Sequence, residues 1–163
     1  MIFVTVGTEK YPFDRLLRIV DDAVGAGIIQ GPGFAQTGCS TYRPRHLRFQ
    51  PLIGFDEMRQ RVREADLVIG HAGVGTIVLA LNQGRVPLVM PRRADLREHI
   101  SDHQIDFALR LDDCGKIILF QNENEFRNKV NRLKPTAETT SFRAKPSQAR
   151  KDLIDYLRAT LFS

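Results

Sequence analysis

The chain has 163 residues, of which 42% are hydrophobic and 26% charged, and its net charge is +5. This length suits one compact domain, and this balance excludes intrinsic disorder. No apolar run approaches the roughly 20 residues that cross a bilayer, and the two cysteines, Cys39 and Cys114, lack metal-ligand spacing. Reduced thiols in a cytoplasmic protein are therefore expected. The positive charge is compatible with an acidic small ligand or anionic lipid, whereas the lack of a basic helix or RNA-binding signature argues against nucleic acid.

The first half of the chain alternates predicted strands and helices. It opens on the β-branched and aromatic run Ile2–Val6, which lacks the basic leader and cleavage site of a signal peptide and predicts a buried strand. The turn Gly7-Thr8 follows, and Pro12 fits the first turn of a helix. In chain order we predict a strand over 2–6, a helix over 13–24 ended by Gly25 and Gly27, strands over 34–37 and 47–52, and a helix with Phe55, Met58 and Val62 on one face.

The second half continues this alternation and contains the most apolar strand. Asp66–Gly70 is nearly continuous in apolar residues, as expected for a parallel strand covered on both faces. The remaining predictions are a helix from Thr76 to Gly84, a strand over 86–90, a helix over 100–111, a strand over 117–120 and a helix over 123–133. Regular alternation predicts an α/β fold with a Rossmann-like, doubly wound parallel sheet.

Composition sets the expected boundaries. Residues 1–133 form the predicted Rossmann-like domain. Residues 134–147 hold two prolines and many hydroxyls, which is typical of a surface connection. Residues 148–163 predict an amphipathic helix with Leu153, Leu157 and Leu161 on one face, and this face is expected to pack on the domain or on a partner.

The segment DLVIGHAGVGT, residues 66–76, carries the clearest chemical signal. It reads as a buried strand, a glycine-rich turn and a helix start in succession. Ligands of open α/β sheets bind beyond the carboxyl ends of the strands, and glycines let backbone N–H groups approach a phosphate at a helix N-terminus. The spacing is neither G-x-G-x-x-G nor a P-loop, so a tight turn that needs glycine for geometry alone stays open. The turn at Gly7-Thr8 has the same two interpretations.

Two polar segments are further candidates. Asp102, His103 and Gln104 lie at a predicted helix start, where polar groups could meet the hydroxyls of a sugar. The alternative is a capping box, in which Ser101 and Gln104 satisfy free backbone N–H groups. Three arginines follow the preceding strand and suit either a diphosphate or carboxylate ligand or a solvated basic loop: Arg92, Arg93 and Arg97.

At these residues a family resemblance can be stated. Taken in order, ADLVIGHAGVGTIVLAL, VPLVMPRR, DHQ and DCGKIIL resemble the C-terminal domain of family-28 glycosyltransferases, over Met1 to about Phe120. The sequence is similar to the small catalytic subunits of two-component enzymes, namely exopolysaccharide (glucuronosyl-type) transferases and the dolichol-linked N-acetylglucosaminyltransferase. The resemblance implies the C-terminal, donor-binding half of a GT-B glycosyltransferase.

The same resemblance implies a reaction and its partners. The expected reaction is inverting transfer from a UDP-sugar to a polyprenyl-diphosphate-linked saccharide, in exopolysaccharide or glycolipid synthesis. A membrane-associated subunit would bind the lipid-linked acceptor and recruit this chain to the inner face of the membrane. No metal or other cofactor is expected, since no D-x-D motif is present. The sugar stays open among glucuronate, glucose and N-acetylglucosamine, as does a homo-oligomer of the isolated chain.

The resemblance also assigns residues. Phe55 is implied to lie beside the uracil, and His103 and Gln104 to face the donor sugar. His71 is the local candidate for a general base, although the base is expected in the partner. Many members carry a ribose-binding Glu where this chain has Leu79, so the ribose must be held by other groups. The full expected donor-binding set is Gly7, Thr8, Phe55, His71, Gly73, Val74, Gly75, Thr76, Arg92, Asp102, His103 and Gln104.

Two other functions compete with this interpretation. A non-catalytic nucleotide-binding or regulatory domain would be consistent with Leu79 in place of the ribose-binding Glu. A Rossmann-type oxidoreductase is disfavoured, because G-x-G-x-x-G and the acidic residue at its ribose position are missing.

Overall fold

A computed structural model describes residues 1–133, so the predicted connection over 134–147 and the helix over 148–163 lie outside the described residues. Within residues 1–133, no helix is long and apolar enough to cross a membrane. The strands are β1 (Ile2–Thr5), β2 (Gly33–Gln36), β3 (Arg48–Gln50), β4 (Leu67–His71), β5 (Leu88–Met90) and β6 (Ile118–Leu119). The helices are α1 (Asp14–Gly25), α2 (Phe55–Glu64), α3 (Val74–Asn82), α4 (His103–Asp113) and α5 (Glu123–Leu133).

The six strands form one parallel sheet in the order β3-β2-β1-β4-β5-β6. The chain runs outwards from β1 to one edge, then returns to β4 and runs outwards to the other edge. The predicted doubly wound arrangement is therefore confirmed. Because the order reverses between β1 and β4, the crevice of the fold lies beyond the carboxyl ends of these two strands.

Both faces of the sheet are covered, which explains the continuous apolar runs of its strands. Along β1, Ile2 and Val4 join a core cluster with α1, whereas Phe3 joins a cluster on the opposite face with α2 and α3. The alternation follows from the two-residue period of a strand. Each of these β1 side chains is at most 3% exposed, so β1 is a central, buried strand of the sheet.

Several helix boundaries differ from the prediction. Helix α1 begins after Phe13, so Pro12 lies just outside its first turn. Helix α3 begins at Val74, two residues earlier than predicted, because Gly73 serves as its N-cap. Helix α4 begins only at His103 rather than near residue 100. Helix α1 ends in the predicted glycine region, where Gly27 has a φ of 68° and the N–H of Ile28 donates to the carbonyl of Ala23.

Candidate functional site

The topology brings the predicted site segments to one edge of the sheet. Residues 7–8 follow β1, Phe55 follows β3, residues 72–76 follow β4 and Arg92 follows β5. Residues 102–104 begin the helix that β5 leads into. Since all strands are parallel, their carboxyl ends share an edge, and the turns after β1 and β4 flank the point where the strand order reverses.

The side chain of His71 lies between the two glycine turns. A Cβ at Gly7 would lie 2.6 Å from Cε1 of His71, and a Cβ at Gly73 would collide with Nε2. Gly7 also has a φ of 78°, a left-handed conformation that side chains disfavour. Glycine at both positions is thus explained by the buried imidazole that fills the space between the turns.

Burial, together with the nearby positive charge of Arg92, lowers the pKa of His71 to about 4. The side chain is only 7% exposed, and its Nδ1 atom has no hydrogen-bond partner within the described part of the chain. The imidazole is therefore neutral at pH 7. A group with so low a pKa is a weak general base near neutrality, so its position favours packing and ligand contact over proton abstraction.

This shift predicts a pH effect on stability. Unfolded His71 takes up a proton near pH 6.5, whereas the folded form resists protonation down to about pH 4. The unfolded state therefore binds more protons between these values, and the free energy of unfolding falls as the pH drops through this window. Between pH 8 and pH 4.5, the free energy of unfolding should fall in both proteins. We expect the fall in a His71→Gln variant to be smaller than that in the wild type by on the order of 2 kcal/mol. Urea unfolding of both proteins at the two pH values measures this, and equal losses would contradict the buried, neutral imidazole.

The start of helix α3 offers free donors to a ligand. No side chain caps it, and its first turn contains no acidic residue. The first N–H groups of any helix lack intrahelical partners and lie at the positive end of its dipole. Val74 is 43% exposed and Gly75 is exposed, and a Cβ at Gly75 would meet nothing within 4 Å. Open space above uncapped donors is the arrangement that accepts a phosphate group.

Arg92 departs from its predicted role. Its side chain is fully buried, and its guanidinium donates to the carbonyls of Val6 at 2.6 Å, Tyr11 at 3.0 Å and Glu98 at 2.9 Å. The guanidinium also lies over the Phe13 ring, 4.6 Å from its centroid. The described structure therefore leaves Arg92 no surface for direct contact with a donor, and its hydrogen bonds go to the loops around the site.

The capping-box interpretation of residues 101–104 is wrong. The N-cap of α4 is Asp102, and no side chain makes a capping hydrogen bond there. Instead, the carboxylate of Asp102 accepts from the N–H of Ala94 at 2.8 Å, and the amide oxygen of Gln104 accepts from the N–H of Arg92 at 3.2 Å. These side chains bind the loop after β5, and His103 remains exposed.

Two further positions test the predicted nucleotide contacts. Phe55 is the first residue of α2 and is 70% exposed, so the predicted uracil position at the carboxyl end of β3 is accessible. Leu79 is 9% exposed and packs in the apolar cluster that includes Phe3 and Val62. Leu79 is therefore a core residue that offers no polar contact to a ligand.

A cavity of about 430 Å³ opens at the carboxyl ends of β5 and β6. This volume is within the range of small-molecule sites. The cavity does not include the glycine turn after β4, so it adjoins the segment predicted to face the sugar rather than the phosphates. Its lining is largely polar and charged: Arg15, Pro91, Arg93, Asp95, Asp102, Ile105 and Gln121.

Glu98 is a residue of the site that the sequence analysis missed. Its side chain is 8% exposed, and its carboxylate accepts from Nε and Nη2 of Arg15 at 2.9 and 2.8 Å and from the N–H of Arg93 at 3.0 Å. Arg15 and Glu98 are 83 positions apart in the chain. No local spacing could indicate such a pair, because it exists only once α1 and the loop after β5 meet.

Sequence comparison finds relatives of this chain. The chain matches the glycosyltransferase family 28 C-terminal domain over residues 1–155. It is 31% identical over 126 residues to the UDP-N-acetylglucosamine transferase subunit ALG13 of Mus musculus, and 30% identical over 125 residues to that of Homo sapiens. Each match covers 71% of this chain and 10% of the relative. The match thus spans about a tenth of the length of these curated relatives.

Solved structures show the same fold. The glycotransferase of kitacinnamycin aligns with a TM-score of 0.62 at 15% identity, covering 96% of this chain and 40% of that one. MurG of Acinetobacter baumannii aligns with a TM-score of 0.56 at 20% identity, covering 96% of this chain and 49% of that one. At these identities the likeness concerns the fold, and it confirms one half of a GT-B architecture.

Proposed function

The chain belongs to the glycosyltransferase family 28 C-terminal domain family, and from that premise we propose that it is the UDP-sugar-binding subunit of a two-component inverting glycosyltransferase. The proposed acceptor is a polyprenyl-diphosphate-linked saccharide of exopolysaccharide or glycolipid synthesis. The acceptor site and the membrane contact belong to a separate, membrane-associated subunit, which recruits this chain to the inner face of the membrane. The donor sugar stays open among the three named above.

The observation that carries this proposal is the open space at Gly75, at the start of α3. Gly7 and Gly73 are explained by the imidazole between them, whereas Gly75 has open space above it and no left-handed φ. Glycine costs up to about 1 kcal/mol relative to alanine in a helix. A glycine that the fold does not require, beside uncapped N–H groups at the crevice, is well explained by a phosphate that needs the space.

The chemistry that this site supports is stabilisation of the leaving group. In the proposed reaction an acceptor hydroxyl oxygen bonds to C1 of the sugar while the bond from C1 to the UDP oxygen breaks. Negative charge then develops on the diphosphate, where the N–H groups and the dipole of α3 stabilise it. The hydroxyl proton goes to a base, and the low pKa of His71 leads us to assign that base to the partner chain.

The names of the relatives support a second subunit. The ALG13 relatives are named as subunits of a transferase. Three exposed arginines in the acid-free stretch of residues 38–55 add attraction to an anionic membrane, each by at most about 1 kcal/mol near the lipid: Arg43, Arg45 and Arg48.

Ligand screening tests the donor class directly. A ligand that binds the native state raises the unfolding temperature, so UDP and UDP-sugars should stabilise the full chain and NAD(P) should not. Stabilisation by NAD(P) alone would support the oxidoreductase instead.

A second candidate function is a non-catalytic nucleotide-binding domain. It is favoured by the buried Leu79 in place of a ribose-binding Glu, and it predicts UDP binding without transfer in the presence of the partner.

The residues at the start of α4 should distinguish UDP-sugar from UDP. We expect His103→Ala and Gln104→Ala to weaken binding of the UDP-sugar about tenfold, or ~1.4 kcal/mol, and that of UDP less. His103 is the sharper test because its side chain is exposed, whereas the side chain of Gln104 also accepts a hydrogen bond from the N–H of Arg92. Calorimetry with both ligands on each variant measures the difference. Equal losses for UDP and UDP-sugar would remove these residues from the sugar site.

A further inference from the structure

Two loops flank the glycine turn after β4, because β1 and β5 lie on either side of β4, and we call these loops the first and second walls of the candidate site. The β1–α1 loop, residues 6–13, carries the glycine turn that lies against His71. The β5–α4 loop, residues 91–102, leads to the residues proposed to face the sugar and lines the adjoining cavity. Neither loop has regular secondary structure of its own, so tertiary contacts must fix the distance between these walls.

Arg92 connects the two walls. One nitrogen of its guanidinium donates to Val6 on the first wall, and the other donates to Tyr11 on the first wall and to Glu98 on the second. A guanidinium presents its donors in a rigid planar fork, so three carbonyls held by one such group have a fixed relative position. A lysine ammonium carries the same charge without this geometry. The fully buried Arg92 therefore fixes the loops in a way that its charge alone would not.

Glu98 fixes the second wall from the other side. Its carboxylate accepts hydrogen bonds from the guanidinium of Arg15 on α1 and from the N–H of Arg93. Its backbone carbonyl is one of the three that accept from Arg92. Arg15 in turn donates to the carbonyls of Pro91 and Gln121. Between these anchors Arg97 adopts a φ of 56°, which is uncommon for a side-chain-bearing residue and persists only where neighbouring contacts determine the backbone.

We propose that Arg92 and Glu98 are positioning residues, which hold the β1–α1 and β5–α4 loops at the separation that the nucleotide sugar requires. This inference rests on the proposed donor-binding function. Arg92 acts on both walls, and so on UDP and on the sugar. The Glu98 side chain acts on the second wall, and so on the sugar. Neither side chain needs to touch the donor.

The test uses the full chain and three variants. Arg92→Lys keeps the charge and loses the fork, and Glu98→Gln keeps the size and loses the charge. Arg127→Lys is the matched control, since Arg127 forms an exposed pair with Glu123 on α5. Calorimetry with UDP and a UDP-sugar is performed well below the unfolding temperature of each variant. Amide hydrogen exchange of the same proteins, without ligand, reports the order of each loop.

We expect Arg92→Lys to lower the affinity for both ligands tenfold or more, and to speed exchange selectively in residues 6–13 and 91–102. Glu98→Gln should speed exchange in residues 91–102 alone and weaken the UDP-sugar tenfold while leaving UDP within twofold. Arg127→Lys should match the wild type. Should Arg92→Lys fail to fold, the split between UDP and UDP-sugar in Glu98→Gln decides the question.

The outcomes separate the two proposals. If the wild type binds UDP, and if both loop variants bind UDP and UDP-sugar as tightly as the wild type does, the positioning role is overturned and the donor function stands. Amide hydrogen exchange that rises evenly across the sheet would show that Arg92 and Glu98 stabilise the whole fold. This result would also overturn the positioning role. If the wild type binds neither ligand, the donor function fails, while loop-selective exchange in the variants would still support the positioning of the loops.

Discussion

A Gly75→Val variant should fold normally and lose UDP binding by about 30-fold or more, or ~2 kcal/mol. The added side chain enters space that is empty in the protein alone, so it creates no clash. The same space lies over the free N–H groups of α3, and filling it keeps a phosphate from hydrogen-bond distance. A charge-assisted hydrogen bond of this kind is worth roughly 1.5–3 kcal/mol. Calorimetry with UDP on the folded variant measures the loss.

Stability and affinity should change in opposite directions in this series. Gly75→Ala replaces glycine with the best helix former, so the free energy of unfolding should rise by up to about 1 kcal/mol while UDP affinity falls by a smaller factor than for valine. Asn82→Val places the same valine side chain at the exposed, opposite end of α3 and should leave UDP affinity unchanged. Gly73→Ala, by contrast, should destabilise the fold, since its Cβ meets His71.

Unchanged UDP affinity in a folded Gly75→Val variant would place the diphosphate elsewhere on the sheet edge. The two stability controls keep this result interpretable. If Gly75→Ala lowers rather than raises stability, then Gly75 has a structural role like that of Gly73, and the argument from its open space fails.

The fold was predictable because its signals are local. The apolar run of β4, the helical period of α1 and the glycines that end helices each depend on residues close in sequence. The errors of the prediction lie at helix boundaries, where contacts between residues distant in sequence determine where the helix begins. Helix α4 begins late because Asp102 binds Ala94 and Gln104 binds Arg92, whereas the S-x-x-Q spacing predicted that such side chains would cap their own helix.

The candidate site was predictable only in outline. Parallel topology alone brings the glycine turns to one edge, and the parallel sheet was predicted from the alternation of strands and helices. The distinct roles of the glycines were not, because Gly73 and Gly75 look alike in sequence and differ only in whether His71 occupies the space above them. Arg92 has the residue type expected of an anion ligand, and only its burial under two loops reveals a different role.

The purified chain alone should show no transfer to a lipid-linked acceptor, and co-expression with the proposed membrane-associated partner should give transfer. The described part of the chain forms one half of a GT-B architecture with the proposed donor crevice, and His71, its candidate base, has a pKa lowered to about 4. An inverting transfer needs both a base and a bound acceptor. The measurement is a pull-down of the pair followed by a transfer assay with UDP-sugar and a polyprenyl-diphosphate-linked saccharide.

Two variants distinguish binding to the partner from sugar transfer in this assay. Gly75→Val should co-purify with the partner as the wild type does and yet give no transfer, because only the donor site is blocked. Leu153→Asp combined with Leu157→Asp should reduce co-purification while leaving UDP affinity intact, since these positions lie on the apolar face of the predicted C-terminal helix. Robust transfer by the single chain would overturn the two-component proposal, because one donor-binding half would then also supply the acceptor site and the base.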